Sequence, residues 1–342
     1  MASEVDRLLS QIRSETAREL LEHKQTLTVG IQPIDDAIEE AAAAAPQASP
    51  VIECLGLPGS GKSHVLWHIC AKAAMPRTVP TEDDSGSDGV VLNGANKHVL
   101  LIDVDGRADM CTLARHMEGV YKDAIANASD SFAAGSETAV TATATERAVR
   151  DALSRVHVFA PASTNALVAT LCLMPKHLAE RRISGPVVLL IDGLGSNYGF
   201  ERKEASYVRM ASRNATPWFR MQQVLVDVIQ RVHQQLSCLT VATGLLMLPV
   251  SDSAPGAGEG SQQQRIIRVD QGEFRDHMIP RWLSVVSKSF VLERVSSASV
   301  MPETTAISIT PIDRRTHVKL LDNRLVAHIG DHGLRIPSSR AK

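Results

Sequence analysis

Apolar residues along this chain fall into short uninterrupted runs, separated by stretches in which they recur every three or four positions. The runs lie at 51–55, 98–103, 156–160, 186–191 and 238–243. Runs without polar alternation indicate strands that are buried on both faces, and the helical period between them indicates covering helices. Strands that alternate with helices favour parallel pairing with right-handed crossovers. We therefore expect an α/β fold with a mostly parallel sheet flanked by helices.

The helices expected between these strands differ in how clearly the sequence marks their ends. The strongest begins at Thr216, a good N-cap followed by Pro217, and carries one apolar stripe as far as Leu236. Ser163 or Thr164 is expected to cap an earlier helix, which Pro175 should kink or break. The other helices are predicted at 3–23, 62–74, 109–121, 146–155 and 275–287.

The C-terminal part of the chain predicts a different arrangement of strands. Short strands are expected there with turns between them too brief for crossovers, so these strands should pair antiparallel. They are predicted at 289–294, 303–310, 316–321 and 324–330. The whole chain divides into an N-terminal amphipathic helix (1–26), a core (27–336) and a tail (337–342). Polar stretches at about 76–97, 124–145 and 251–264 predict flexible insertions in that core.

A glycine-rich turn follows the first strand directly and leads into a helix. Its sequence from Gly56 to Ser63, GLPGSGKS, matches the phosphate-binding pattern G-x-x-x-x-G-K-[ST]. Glycines let successive backbone N–H groups point at phosphate oxygens, and the following helix presents its positive end to the same anion. ATP and Mg²⁺ are the expected ligands. The predicted nucleotide-binding residues are Gly56, Leu57, Pro58, Gly59, Ser60, Gly61, Lys62, Ser63 and His64.

Such a site also needs an acidic residue at the end of another strand. Asp192 follows the apolar run 187–191, and Asp103 follows 99–102. Asp192 is the preferred candidate for orienting Mg²⁺ and its waters, with Asp103 as its rival. Ser63 supplies the hydroxyl ligand of the metal, and Lys62 places a charge at the β and γ phosphates.

Composition and charge exclude several classes of protein. Hydrophobic residues make up 44% of the chain, enough for a core, and the formal net charge of -2 gives no overall basic footprint for nucleic acid. The five cysteines are scattered without CxxC spacing, which favours reduced thiols in a cytosolic or nuclear protein. The acidic start and the lack of a long apolar run predict a soluble protein with no membrane partner.

Several segments together resemble the RecA-type ATPases, and more closely the eukaryotic strand-exchange recombinases and their paralogues. The similarity covers about 27–336 and rests on LTVGIQPIDDAI, VIECLGLPGSGKSHVLWHICAKA, HVLLIDVDG, VVLLIDGLGSNY, FVLER and AHIGDHGLRI. Within that family the chain is most similar to the short paralogues of the X-ray-repair cross-complementing type. The resemblance implies a RecA-like core with a P-loop and antiparallel strands at its C-terminal end.

The same resemblance implies a biological role. It suggests an accessory factor in homologous recombination and DNA double-strand-break repair, located in the nucleus. The implied partners are other recombinase paralogue subunits and the main strand-exchange recombinase, which the complex would help to load on single-stranded DNA. DNA would be contacted through that complex. The N-terminal helix could pack on its own core or on the neighbouring subunit.

Two positions depart from the family pattern. Where the family carries a glutamate that positions the attacking water, this chain has Asp105, one methylene shorter; a misplacement of about 1 Å can cost about a hundredfold in rate. Where the recombinases end the fifth strand with a polar residue, usually glutamine, this chain has Gly244. The following loop, 251–264, contains acids and no Lys or Arg, which makes it a poor phosphate binder. Slow hydrolysis and no autonomous strand exchange are therefore expected.

Three weaker features compete with simpler explanations. His64 and His68 are four residues apart, a spacing that can share a metal, but no third ligand is evident. The sequence from Phe159 to Ala162 fits the F-x-x-A pattern of recombinase subunit contacts, although a Phe at the end of a strand is more simply a buried one. Seven Lys or Arg and three Asp follow Pro311, which could form a DNA-facing patch or an ordinary solvated surface.

Three other functions remain open on the sequence. A DNA-stimulated ATPase with its own strand-exchange activity would show turnover that rises strongly with DNA. A structural subunit with static nucleotide would keep its assembly when Lys62 is replaced. A small-molecule P-loop kinase is less favoured, because the antiparallel strands after residue 289 do not suit that fold.

Overall fold

The protein folds around one large mixed sheet with helices on both faces. The sheet has 11 strands, of which six are mutually parallel and form its centre in the order β10-β1-β7-β6-β4-β5. These six are β1 (Val51–Gly56), β4 (His98–Asp103), β5 (Val156–Phe159), β6 (Val187–Leu194), β7 (Leu239–Met247) and β10 (Lys288–Arg294). The computed structural model describes residues 27–44, 49–79, 90–129, 142–183, 185–197, 201, 218–247, 265–269, 272–276, 278–295, 304–313 and 319–336.

Antiparallel strands extend the sheet beyond β10, as the short C-terminal turns predicted. They continue in the order β10-β11-β12-β13, and a hairpin of β8 and β9 pairs with the end of β7. A separate two-stranded ribbon joins β2 and β3. The remaining strands are β2 (Thr78–Val79), β3 (Val90–Val91), β8 (Ile266–Val269), β9 (Gly272–Asp276), β11 (Thr305–Ile312), β12 (Leu325–Gly330) and β13 (Gly333–Arg335).

Helices cover the two faces of the sheet as separate layers. Along β4, Val99 and Leu101 pack with the helices of one layer, and Leu100 and Ile102 pack with those of the other. This alternation explains why the strand is apolar at every position. The first layer holds α1 (Gln32–Ala44), α2 (Lys62–Ala74), α3 (Met110–Ser129) and α4 (Ala142–Ser154), and the second holds α5 (Thr164–Glu180), α6 (Trp218–Leu236) and α7 (Pro280–Val285).

Most of the predicted elements of the parallel core are confirmed within a few residues. Ser163 caps α5 and accepts a hydrogen bond from the Ala166 N–H at 3.2 Å, as one of the two alternatives predicted. Pro175 lies inside α5 without ending it. No helix in the described part of the chain is both long and apolar enough to cross a membrane.

The helix predicted at 275–287 is present but shorter than predicted. Residues from Gly272 to Asp276 form strand β9, and only Pro280–Val285 are helical. Backbone pairing with β7 and β8 overrides the local helical tendency there. The strand predicted at 316–321 is also wrong at its end, because Leu321–Asn323 form a turn of 3-10 helix.

Helix α1 (Gln32–Ala44) is not among the helices predicted from the sequence. The side chain of Asp35 accepts hydrogen bonds from the N–H groups of Val29 and Gly30 and so fixes the turn before it. The helix then buries Ile34 and Ile38 in the first core layer. Alanine is the best helix former, so the alanine run at its end extends the helix.

Parts of the predicted insertions belong to the folded body. Strands β2 and β3 occupy the two ends of the 76–97 stretch, and Leu92 beside them is fully buried. Helices α3 and α4 occupy the two ends of the 124–145 stretch. The predictions for 3–23, for 251–264 and for Thr216 and Pro217 lie outside the described residues.

A network of buried charges joins the β8–β9 hairpin and α7 to the central strand β1. The carboxylate of Glu53 accepts hydrogen bonds from Arg265 at 2.7 Å, Trp282 Nε1 at 2.6 Å and Ser289 Oγ at 2.8 Å. Asp276 lies 4.0 Å from the same guanidinium. All five side chains are buried, and we call them the Glu53 network. Both oxygens of Glu53 are paired, which compensates its burial.

Candidate functional site

The glycine loop, residues 56–63, joins β1 to α2 at the carboxyl edge of the parallel strands. Gly61 has a φ of 87°, and a Cβ there would lie 2.8 Å from Ile329 Cδ1 of β12. A Cβ on Gly56 would lie 2.3 Å from Ser60 Oγ and 2.6 Å from the carbonyl oxygen of Leu292. Both glycines are thus required by close packing, and Gly61 also by its backbone conformation.

Lys62 opens helix α2 and turns its side chain back over the loop. Its ammonium donates hydrogen bonds to the carbonyl oxygens of Gly56 and Leu57, each at 2.9 Å. Burial lowers the pKa of Lys62 to about 8, while the negative charges of Asp192 and Asp105 act in the opposite direction. The loop therefore holds a cation at the positive end of a helix, an arrangement that attracts anions such as phosphate.

Asp192 lies on β6 beside the start of α2, as the sequence predicted. Its carboxylate is buried and accepts hydrogen bonds from Thr243 Oγ1, at 2.6 Å, and from the hydroxyl of Ser63. Burial raises the pKa of Asp192, and the two hydroxyl donors offset part of that rise. The structure thus brings together the two residues that were predicted to serve a metal ion.

The rival acid Asp103 and the predicted water-positioning residue Asp105 both lie close to Asp192. Asp103 stands directly opposite Asp192 in the register of β4 and β6. One oxygen of Asp103 accepts the N–H of Ala108 at 2.6 Å, and the other is buried without a hydrogen-bond partner. Asp105 is exposed, and its carboxyl carbon lies 2.8 Å from where a Cβ on Gly193 would be.

Thr243 is a residue of this site that the sequence did not single out. It lies in the middle of β7, the strand between β1 and β6, and its hydroxyl donates a hydrogen bond to Asp192. Its neighbour Gly244 packs against β1, since a Cβ there would lie 2.7 Å from Leu55 Cδ2. The predicted strand 238–243 is apolar apart from two threonines, and Thr243 is its last residue; that position was the signal that could have found it.

The histidines near the loop do not share a metal. His64 Nδ1 lies 3.1 Å from His116 Nε2, whereas His68 Nε2 lies 3.0 Å from the carbonyl oxygen of Val29. Burial lowers the pKa of His68 to about 4, so both interactions involve neutral rings near pH 7. In the described part of the chain, no group of three or more His, Cys, Asp or Glu could hold a metal ion.

The donors present nevertheless fit a phosphate group and a hydrated Mg²⁺. Ser60 Oγ is buried in the loop without a hydrogen-bond partner, and so is one oxygen of Asp103. Mg²⁺ keeps several waters and needs few protein ligands, so one hydroxyl and one or two carboxylates are enough beside phosphate oxygens. Lys62 provides the point charge for the phosphates.

A small cavity borders the loop but is too small for a nucleotide. Its volume is about 80 Å³, whereas small-molecule pockets usually exceed about 300 Å³. The cavity is lined by Leu57, Pro58, Ser60, Leu246, Leu292, Glu293 and Arg294.

The remaining sequence features lie away from this edge or are already paired. Phe159 is half-buried at the end of edge strand β5, with its ring centroid 5.2 Å from that of His177. Among the C-terminal cations, Lys319 forms a largely buried ion pair with Glu293 at 2.6 Å, and Arg324 and Arg335 are exposed. The described cysteines are all free thiols.

No protein-family model matches the chain, and no curated protein matches it.

Proposed function

We propose that this protein is a RecA-like P-loop protein that binds ATP and Mg²⁺ at the glycine loop. One observation carries the proposal: Lys62, Ser63 and Asp192 converge at the carboxyl edge of a parallel sheet, with Asp105 close by. This edge is where α/β sheets bind their ligands. The glycines make that convergence possible, because larger residues at Gly56 and Gly61 would collide with packed neighbours.

Each residue has a separate task in the proposed site. The N–H groups of the loop and the ammonium of Lys62 bind the phosphate oxygens. The Ser63 hydroxyl and Asp192 hold the metal and its water shell, and the metal, when bound, neutralises charge on the β and γ phosphates. Asp105 is exposed beyond β4, where its carboxylate can accept a proton from an attacking water.

The proposed biological role rests on the resemblance to recombinase paralogues. The protein would act in the nucleus as an accessory factor in homologous recombination and DNA double-strand-break repair. It would join other recombinase paralogue subunits in a complex that assists the main recombinase on single-stranded DNA. A mixed sheet with a parallel centre and an antiparallel C-terminal extension is compatible with that family's core.

The packing of β7 supports the accessory role over an autonomous strand-exchange motor. Gly244 has no side chain to contact a γ-phosphate, and the space beside it is filled by Leu55. A larger residue at this position would need Leu55 to move. Coupling between nucleotide state and DNA is therefore expected to be weak in this chain by itself.

The decisive experiment measures ATP binding and turnover by the purified protein, with and without single-stranded DNA and with Lys62→Ala as control. We expect ATP to bind in the presence of Mg²⁺, turnover to be slow, and DNA to change it little. Lys62→Ala should weaken ATP binding by at least about a hundredfold, since it removes a charge held against the phosphates. Thermal unfolding should show that the variant remains folded.

Each alternative gives a different result. A many-fold rise in turnover with DNA would identify a working recombinase motor. Unchanged complex assembly and repair with Lys62→Ala would identify a subunit whose nucleotide is dispensable. Failure of the wild-type protein to bind any adenine nucleotide would overturn the proposed site.

A further inference from the structure

Strand β6 carries a bulge at Asp192 and Gly193. Ile191 pairs with Ala242, and Leu194 pairs with Gly244, so two residues of β6 stand opposite the single residue Thr243 of β7. Gly193 has a φ of 78°, which favours glycine. Bulges next to functional sites change the direction of a side chain relative to the regular strand.

The hydroxyl of Thr243 is bound to both bulged residues. It donates its one proton to Asp192 Oδ1 at 2.6 Å and accepts the backbone N–H of Gly193 at 2.8 Å. This hydrogen bond uses the only hydroxyl proton of Thr243, so β7 fixes the position of Asp192 Oδ1. Its hydrogen bond from Ser63 then links the same carboxylate to the start of α2.

The position of Gly193 leaves little room for the bulge to relax. A Cβ on Gly193 would lie 2.6 Å from Ser196 Oγ and 2.8 Å from the carboxyl carbon of Asp105. Thr243 is itself buried, with 1% of its surface exposed, so no solvent molecule replaces its hydroxyl easily. The bulge and the threonine together determine where the Asp192 carboxylate points.

We infer that Thr243 is a positioning residue that holds the Asp192 carboxylate in the orientation needed to bind the water shell of a divalent cation. This inference rests on the proposed function. Partners that orient a metal ligand typically contribute about ten- to a hundredfold to metal affinity. Strand β7 thus contributes to the site through Thr243, whereas the next residue, Gly244, has no side chain with which to do so.

The test compares the wild-type protein with Thr243→Val, which keeps the shape of the side chain and removes its hydroxyl. Two quantities are measured: the affinity of the protein for Mn²⁺ by electron paramagnetic resonance with a non-hydrolysable ATP analogue, and the affinity for ATP in EDTA. We expect Mn²⁺ binding to weaken about ten- to a hundredfold. ATP affinity without metal should change less than about threefold.

Two controls separate positioning from general stability. Thr243→Ser retains the hydroxyl and should restore Mn²⁺ affinity. Thr240→Val removes another buried hydroxyl of β7, one that contacts His233 at 3.0 Å, and should leave Mn²⁺ affinity unchanged. If Thr243→Val does not fold, as judged by circular dichroism, Thr243→Ala provides the same loss of hydroxyl with less bulk.

The outcomes distinguish this inference from the proposed function. If a folded variant without the Thr243 hydroxyl binds Mn²⁺ as tightly as the wild-type protein does, the inference is overturned and the proposed ATP site is unaffected. Equal losses of ATP affinity with and without metal would also overturn it, because Thr243 would then support the loop as a whole. If the wild-type protein binds no ATP in either condition, it is the proposed function that fails.

Discussion

Two groups of buried charges share the central part of the sheet and differ in how completely they are paired. The Glu53 network has both carboxylate oxygens bonded, to an arginine, an indole and a hydroxyl. At the glycine loop, three residues beyond Glu53 on the chain, Ser60 Oγ and one oxygen of Asp103 are buried without partners. The Glu53 network thus satisfies its own hydrogen bonds, whereas the glycine loop keeps polar atoms that can still form them.

The difference indicates which group is structural and which is functional. A buried charge that is fully paired by the protein has no capacity left for a ligand, and removing one partner leaves the other uncompensated. Buried polar atoms without partners are costly, so the two at this edge point to an outside group that completes them. Effects on stability should therefore be large in the Glu53 network, and effects on binding should be large at the loop.

The largest effect is expected from Arg265→Leu. The substitution leaves Glu53 buried without its cation, which typically costs about 3–5 kcal/mol of unfolding free energy. Urea denaturation checks this value. Arg268→Leu on the same hairpin is the matched control, because its exposed ion pair with Glu273 should contribute less than about 1 kcal/mol. Equal losses for the two variants would contradict a structural role for the buried pair.

A second effect is expected from Asp105→Glu, which adds the methylene that the family pattern contains. If the shorter side chain places the attacking water poorly, ATP turnover should rise by up to about a hundredfold. Steady-state phosphate release measures it, with Asp105→Asn as the control that should not accelerate. An unchanged rate would mean that another carboxylate positions the water, and Asp103 would be the next residue to test.

The smallest effect concerns the pH dependence of ATP binding. Because the pKa of Lys62 lies near 8, raising the pH from 7 to 9 removes most of its charge, and ATP affinity should fall about tenfold. Lys62→Arg keeps its charge over this range, so its ATP affinity should show only the pH dependence that arises from the titration of ATP itself. Isothermal titration at several pH values makes the comparison, and parallel curves for the two proteins would contradict the lowered pKa.

The lowered pKa of Lys62 also predicts how the free energy of unfolding changes with pH. The unfolded chain keeps the proton on Lys62 up to about pH 10.5, whereas the folded protein loses it near pH 8. The unfolded state therefore binds more protons between these values, and the contribution of Lys62 to the free energy of unfolding rises over that window.

The sequence predicted the parallel core and the residues of the site better than it predicted the charged network. Lys62, Ser63 and Asp192 follow apolar runs whose ends must meet at one edge, so their proximity could be inferred. Glu53 lies inside such a run, and its partner Arg265 is more than 200 residues away, so nothing local linked them. Long-range backbone pairing of β9 with β7 likewise explains why the helix predicted at 275–287 is shorter in the structure.

Thr243 shows another reason why sequence patterns alone do not reveal every residue of the site. Regular alternation along a strand does not indicate where a neighbouring strand bulges, and the bulge is what brings Thr243 to both Asp192 and Gly193. The family pattern directed attention to the next position, Gly244. The hydrogen bonds of Thr243 depend on a change of register that no single-strand pattern contains.

The contact of Gly61 with β12 has a consequence for synthesis on the ribosome. The phosphate loop is made early. Ile307 and Ile329, whose side chains leave no room for a Cβ on Gly61, are made more than 240 residues later. Strand β10, which pairs with the whole of β1 after Val51, is also made late. A nascent chain that already contains the phosphate loop should therefore not bind ATP at the proposed site until β12 has also been made.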